Sequence, residues 1–148
     1  GSFSILGECD AIYGGSAAPI LDLVKVKSSL YVTQDISLKS IEVELFVDHP
    51  QVQDLAVYIQ SPTHTSLLVP TETTSGANYN GTVFSTTGGL PAPGGVDAPY
   101  NGEFKPWQND FNQFEGQQTR GVWRLVVVDN NNNGVEGELQ GWNLRLCS

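Results

Sequence analysis

Hydrophobic and polar residues alternate with a period of two along several segments of the chain, and helical periodicity is almost absent. In residues 40–48, SIEVELFVD, every second side chain is aliphatic: Ile41, Val43, Leu45 and Val47. Such alternation predicts a strand with one face in a core. Residues 21–26 and 30–32 form another alternating pair of segments.

The pattern also predicts a hairpin and two long strands near the end of the chain. Residues 54–60, stopped by Ser61-Pro62, would return through residues 63–70 as a neighbouring strand. Residues 121–130, GVWRLVVVDN, are apolar on both faces and predict a strand covered on both sides. The last strand would follow at 141–148, with DNNNNGVEGELQGW as the hairpin between these two strands.

The middle of the chain, residues 71–118, is rich in Gly, Asn, Thr and Pro. A long structureless stretch is uncommon in a compact domain, so we expect it to carry short strands such as GTVFST. Short strands with long crossing loops favour an all-β fold, an antiparallel β-sandwich of the jelly-roll type. The 148 residues suit a single domain, 1–148, with Gly1-Ser2 as an expected tag remnant.

Charge and hydropathy exclude two classes of partner. The formal net charge is -9, from 16 acidic and 7 basic side chains, and no Lys/Arg cluster could neutralise successive phosphates. We therefore expect no nucleic-acid partner. No apolar run approaches the roughly 20 residues that span a bilayer, so we expect no membrane association.

The two cysteines lie near opposite ends of the chain, at Cys9 and Cys147. They form no C-x-x-C pair, which excludes a redox motif or a zinc ribbon. A disulfide between them would fasten the last strand beside the first and would indicate an oxidising compartment. The alternative is two buried thiols.

Three motifs resemble one known family. They are the hairpin DLAVYIQSPTHTSLLVP, the F-x-G before GVWRLVVVD, and the closing GELQGWNL. Their order and spacing over roughly residues 36–147 resemble the P domain, or Homo B domain, of kexin- and furin-type proprotein convertases and of bacterial secreted proteases. The resemblance implies a non-catalytic β-jelly-roll, covalently linked to a secreted protease's catalytic domain, that aids the folding, stability or calcium dependence of that domain.

Catalysis by the chain itself is poorly supported. A hydrolase needs a nucleophile, a base and an orienting group. The two histidines are His49, at a strand end beside Asp48, and His64, in a turn between Ser61 and Ser66. There is no G-x-S-x-G elbow and no H-x-x-x-H zinc spacing.

Calcium is the metal that this sequence favours, because it takes carboxylate, amide and carbonyl oxygens. The stretch from Asp129 matches the first positions of a helix–loop–helix calcium hand, but Gln140 stands where a bidentate acid is needed, and strands flank it. Asp48 and Asp54 bracket a short connection that Asp97 could reach, and repulsion among carboxylates favours a cation. Together with the resemblance, this predicts calcium ligands among five acids, with a solvated surface as the alternative: Asp48, Asp54, Asp97, Glu103 and Asp129.

The aromatic residues have two interpretations. Trp123 and Trp142 alternate with aliphatic residues and are expected in the core. Trp107 lies in an irregular segment near Tyr100 and could form an exposed platform for a sugar ring or a protein. This makes an autonomous module binding polysaccharide or protein substrate the alternative function. The other interpretation is that these rings cover one end of the sandwich.

Overall fold

A computed structural model describes residues 11–71, 75–86, 90–91, 100–108 and 111–147. This part of the chain forms strands and two short 3-10 helices, Val52–Asp54 and Phe111–Phe114. The strands are β1 (Ala11–Gly15), β2 (Ala18–Ile20), β3 (Lys25–Val32), β4 (Ser40–Asp48), β5 (Leu55–Gln60), β6 (Thr65–Val69), β7 (Tyr79–Phe84), β8 (Leu90–Pro91), β9 (Gly102–Lys105), β10 (Gly121–Asp129) and β11 (Gly137–Cys147). Within the described residues, no helix is long and apolar enough to cross a membrane.

The strands form two sheets that pack face to face as a sandwich. The large sheet has seven strands in the order β1-β11-β4-β7-β9-β8, with β2 also paired to β11. The small sheet has the order β3-β10-β5-β6. Most pairs are antiparallel, but β9 runs parallel to both β7 and β8. The all-β, jelly-roll sandwich expected from the alternation is confirmed.

The core lies between the sheets and contains the residues that the alternation assigns to it. The four aliphatic residues of 40–48 are at most 1% exposed, and the residues between them are half-buried. Trp123 and Trp142 are 0% and 1% exposed. The predicted hairpin is confirmed as β5 and β6, and the glycine-rich middle carries β7, β8 and β9.

Two expectations for the end of the chain are wrong. The stretch after Asp129 is not a hairpin, because β10 belongs to the small sheet and β11 to the large one, so it crosses between the layers. β10 is also not covered on both sides. On its outer face Arg124 is exposed and Val122 is 36% exposed, although Val126 is buried. No further layer packs on this outer face within the described part of the chain, and side chains of neighbouring strands shield the valines only in part.

A tryptophan joins the two sheets. Trp142, on β11, donates its indole N–H to the hydroxyl of Ser28 on β3, at 2.9 Å. Ser28 in turn donates to the carbonyl of Ser16, at 2.6 Å. The indole lies against Gly15, where an added Cβ would meet Trp142 Nε1 at 1.8 Å, so only glycine leaves room for the ring.

Candidate functional site

Three polar side chains are buried together at one end of the sandwich. His49 directly follows β4, Asp54 ends the first 3-10 helix, and Asp129 ends β10. They are 0%, 3% and 0% exposed, and one ligand atom from each lies within 4.8 Å of the other two. We call His49, Asp54 and Asp129 the buried cluster. Burial of three ionisable groups is costly unless each is hydrogen-bonded.

The ring of His49 is fixed by hydrogen bonds at both nitrogens. Nδ1 accepts the backbone N–H of Gln51 at 3.0 Å, and Nε2 lies 3.2 Å from Oδ2 of Asp129. Because Nδ1 acts as an acceptor, the proton of a neutral ring is on Nε2 and is donated to Asp129. The backbone of His49 is held by Asn78, which accepts its N–H and donates to its carbonyl, each at 2.9 Å.

The carboxylate of Asp54 organises the crossover that follows β10. The side-chain amides of Asn131 and Asn133 donate to its two oxygens at 3.1 and 2.9 Å. The backbone N–H of Asn130 donates to the carbonyl of Asp54 at 2.9 Å. The N–H of Asn131 also donates to Oδ1 of Asp129 at 3.0 Å. The asparagine-rich stretch therefore surrounds two buried carboxylates and donates hydrogen bonds to both of them.

A third carboxylate, that of Asp22, lies against the same crossover. Its Oδ2 accepts the N–H of Gly134 at 2.5 Å, and the N–H of the neighbouring Leu23 donates to the carbonyl of Asp129 at 2.9 Å. The Oδ1 of Asp22 is buried and has no hydrogen-bond partner in the described part of the chain. A buried carboxylate oxygen without a donor is unfavourable unless a cation or water occupies the space beside it.

A close backbone contact holds the far end of the crossover. At Gly137, the first residue of β11, an added Cβ would lie 2.2 Å from the carbonyl oxygen of Asp48 and 2.9 Å from Cα of His49. Both neighbours are backbone atoms that cannot turn away. The glycine therefore lets β11 start directly beside the buried cluster.

The structure brings together only part of the acidic set expected from the sequence. Asp54 and Asp129 meet in the buried cluster. Asp48 is exposed at the end of β4, although it adjoins His49. Glu103 is exposed on β9 and accepts the hydroxyl of Ser85 at 2.5 Å. Asp97 lies outside the described residues.

Sequence reasoning missed Asp22 and did not connect His49 with the acids. His49 and Asp129 are 80 positions apart, and no local motif joins them. The usable signal was the position of each residue at the end of a strand, since strand ends of neighbouring layers meet at one end of a sandwich.

Neither histidine stands in a catalytic arrangement. His49 and Asp129 are wholly buried, so a substrate cannot reach the ring. His64 lies in the β5–β6 turn, where Nδ1 is 2.8 Å from the hydroxyl of Thr63. The hydroxyl of Ser61 accepts the backbone N–H groups of Thr63 and His64, which is the bonding of a turn rather than of a nucleophile and its base.

The two residues of the expected aromatic platform have different environments. Trp107 is 47% exposed. Tyr100 is 2% exposed, and its hydroxyl donates to the carbonyl of Ser75 at 2.6 Å and accepts the N–H of the same residue at 2.8 Å. Tyr100 therefore packs inside the sandwich, and Trp107 is the exposed ring of the pair.

Among solved structures, the chain is similar to the serine protease of Aeromonas sobria. The structure of that protease in complex with the chaperone has 16% identity and a TM-score of 0.56, and the structure titled for the protease alone has 16% and 0.52. Each match covers 92% of this chain and 27% of the other, so the chain spans about a quarter of the protease's length. At this identity the likeness concerns the fold.

No curated protein sequence matches the chain. The model of one protein family does match, described as the proprotein convertase P-domain, over residues 38–146. The match includes the whole buried cluster and both sheets from β4 onward. It agrees with the resemblance seen in the hairpin, in β10 and in the closing G-x-L-x-G-W-x-L. The chain therefore belongs to the proprotein convertase P-domain family, a family of non-catalytic accessory domains.

Proposed function

We propose that this chain is the accessory domain of a secreted protease and that it supports the folding and stability of a catalytic domain covalently linked to it. The match of the P-domain family model over residues 38–146 carries the proposal. The two similar structures, both of a serine protease about four times as long as the matched part, support it. The inaccessibility of the His49–Asp129 pair fits a supporting rather than a catalytic role.

The physical basis would be linkage. A domain that packs only on the native form of its neighbour shifts the folding equilibrium of that neighbour toward the native state. For this effect the accessory domain must itself be rigid at the surface that contacts the neighbouring domain. The crossover between the sheets supplies such rigidity, because its amides and backbone are tied to Asp54, Asp129 and Asp22.

Calcium binding is the second part of the proposal, and we place it beside the crossover. Asp54 and Asp129 are buried carboxylates, and Asp22 adds a buried oxygen without a donor. Hard cations take oxygen ligands, so Asp54 and Asp129 would hold the ion, and Asp22, hydrogen-bonded to the same crossover, would supply a further oxygen. His49 would keep its place as a donor to Asp129 rather than act as a ligand. The ion would supply positive charge and cross-link the crossover to β10 and the segment before β3.

The calcium proposal can be tested on the isolated chain. Thermal unfolding is measured with calcium and with a chelator, for the wild type and for Asp22→Asn. A calcium-dependent rise in the melting temperature that is lost in Asp22→Asn supports the site. Loss of the response in Asp48→Asn or Glu103→Gln, with Asp22→Asn unaffected, would place the ion elsewhere.

The secreted location and the disulfide belong to the same proposal. In the large sheet β1 pairs with β11, with Ala11 opposite Leu146. Cys9 is two residues before Ala11 and Cys147 is one after Leu146, so the intervening chain is short enough for the two to meet. The bond can be tested by alkylating the chain with and without prior reduction and then measuring its intact mass. Because a disulfide blocks alkylation, alkyl groups should be added only to the reduced sample.

A second candidate function is an autonomous module for polysaccharide or protein substrate. The exposure of Trp107 favours it. The ring stands on a turn whose backbone is fixed by a hydrogen bond from the N–H of Trp107 to the carbonyl of Leu68, at 3.0 Å. Retention on insoluble polysaccharide or collagen that is lost in Trp107→Ala would support this function; no retention by the wild type would contradict it.

A further inference from the structure

The outer face of the small sheet carries a group of unpaired cations. Lys25 and Lys27 project from β3, and Arg124 from the neighbouring β10; all three are exposed. None of them forms an ion pair among the residues that the structure describes, whereas Arg145 on the large sheet contacts Glu42 and Glu44. We call the outer face formed by Lys25, Lys27, Tyr58, Arg124 and Val126 the basic face.

The basic face is positive in a strongly acidic protein. The chain has 16 acidic and 7 basic side chains. The four strands of the small sheet nevertheless contain a single acid, Asp129, and it is buried on the inner side. No carboxylate on these strands therefore faces outward to neutralise the cations. The positive electrostatic potential of these side chains can therefore attract a negatively charged partner.

The register sets the spacing of the three cations. Lys25 and Lys27 are two residues apart on one strand, so their Cα atoms are about 7 Å apart. Lys27 lies opposite Val126, and Arg124 lies two residues before it, which places Arg124 diagonal to Lys27 at about 7–8 Å. An extended polypeptide also presents alternate side chains about 7 Å apart. The cations thus match carboxylates at alternate positions of an extended segment.

Beside Lys25 and Lys27 lies a shallow hollow of about 350 Å³, which Arg124 does not line. Val126 and Val128 form its floor, Tyr58 one wall, and Lys25 and Lys27 part of its rim. The floor is apolar and the rim offers hydrogen-bond donors, a combination that binds the stem and the head of an acidic side chain.

Strand addition by a partner is blocked at one edge of the small sheet. β6 is an edge strand of the small sheet, and its backbone is already occupied. The N–H of Trp107 donates to the carbonyl of Leu68, and the N–H of Leu67 donates to the side chain of Gln108. These contacts block strand addition at the β6 edge, which leaves the side chains of the basic face to make the contact proposed here.

We propose that the basic face binds an extended acidic polypeptide segment whose alternate carboxylates pair with Lys25, Lys27 and Arg124. The segment belongs to a partner protein. This interaction is independent of the calcium site, because the three cations lie on the outer face and the buried cluster lies inside.

The test uses fluorescently labelled peptides of about eight residues, long enough to follow the strand. One alternates Glu with Ser, a second has the same composition with its Glu residues consecutive, and a third has Gln in place of Glu. We expect the alternating peptide to bind the chain best and the Gln peptide not to bind. Binding should weaken as salt shortens the Debye length below about 8 Å.

Charge reversal distinguishes the contribution of the basic face to peptide binding from the contribution of the net charge. Lys27→Glu with Arg124→Glu should weaken binding of the alternating peptide at least about tenfold. The matched control, Lys39→Glu with Lys105→Glu, makes the same charge change on other elements and should stay within about twofold. Equal losses in both double variants, equal binding of the consecutive-Glu peptide, or binding of a sulfated polysaccharide but no peptide would each overturn the proposal.

Discussion

The imidazole of His49 lies 3.2 Å from the carboxylate of Asp129, and both side chains are wholly buried. His49 follows β4 of the large sheet, and Asp129 ends β10 of the small sheet. Their hydrogen bond therefore ties the two layers of the sandwich at one end. Because neither group can reach water, loss of one partner leaves the other buried and unsatisfied.

His49→Ala should destabilise the chain by about 3–5 kcal/mol, because it leaves Oδ2 of the buried Asp129 carboxylate without its donor, whereas Oδ1 keeps the N–H of Asn131. The measurement is equilibrium unfolding in urea. His64→Ala is the matched control, since His64 lies in a turn and should change the free energy of unfolding by about 1 kcal/mol or less. A free energy of unfolding for His49→Ala within about 1 kcal/mol of the wild type would contradict the role given to this pair.

The asparagines of the crossover should differ sharply in their effects. Asn131→Ala and Asn133→Ala each remove a donor to Asp54 and should cost about 1.5–3 kcal/mol, the range for hydrogen bonds to charged groups. The side chain of Asn132 is exposed and makes no hydrogen bond within the described part of the chain, so Asn132→Ala should stay within about 0.5 kcal/mol. Chemical unfolding of the three variants makes the comparison. Equal effects at all three positions would mean that the hydrogen bonds from Asn131 and Asn133 to Asp54 do not form.

Two glycines of β11 offer a steric test. Gly137→Ala would place a Cβ 2.2 Å from the carbonyl oxygen of Asp48, and the backbone must shift to accept it. We expect a loss of about 1–3 kcal/mol. At Gly141 the nearest atom to an added Cβ is the carbonyl oxygen of Gly15 at 3.8 Å, an ordinary contact, so Gly141→Ala should be nearly neutral. The reverse order of the two melting temperatures would contradict the packing of Gly137 against β4.

Calcium at a hundredfold excess over its dissociation constant should stabilise the chain by about 2.7 kcal/mol, because it binds only the native state. For a domain of this size that corresponds to a rise in melting temperature of about 5–10 °C. Calorimetry with calcium and with a chelator measures the shift. Asp22→Asn and Asp54→Asn should remove it, and Glu115→Gln, an exposed acid outside the site, should keep it. An unchanged melting temperature in the wild type would rule out a stabilising ion.

Most of the fold could be predicted from the alternation, because burial of one face is a local property of a strand. Val43 and Leu45 are buried where the pattern places them, and the β5–β6 hairpin forms around Pro62. The layer to which a strand belongs is not local. The run from Asp129 to Trp142 contains the turn residues of a hairpin, yet it crosses between sheets because β10 pairs with β3 and β5 instead of β11.

The candidate site could be predicted only in part for the same reason. Asp54 and Asp129 could be chosen by residue type and by their positions at strand ends. Asp22 and His49 required knowledge of which ends meet in space. The sequence places the aromatic ring of Tyr100 in a loop, but in the structure the residue has a positive φ of 57°, its hydroxyl is hydrogen-bonded to Ser75, and its ring is buried.

The most direct test of the proposed function is the thermal inactivation of the proposed parent protease, compared between the wild type, His49→Ala and His64→Ala. His49→Ala leaves the catalytic domain's own sequence unchanged and acts only through the stability of the P domain. We expect protease activity to be lost at a lower temperature in His49→Ala, with His64→Ala equal to the wild type. Unchanged inactivation of the protease in His49→Ala, while the P domain itself unfolds earlier, would contradict the supporting role.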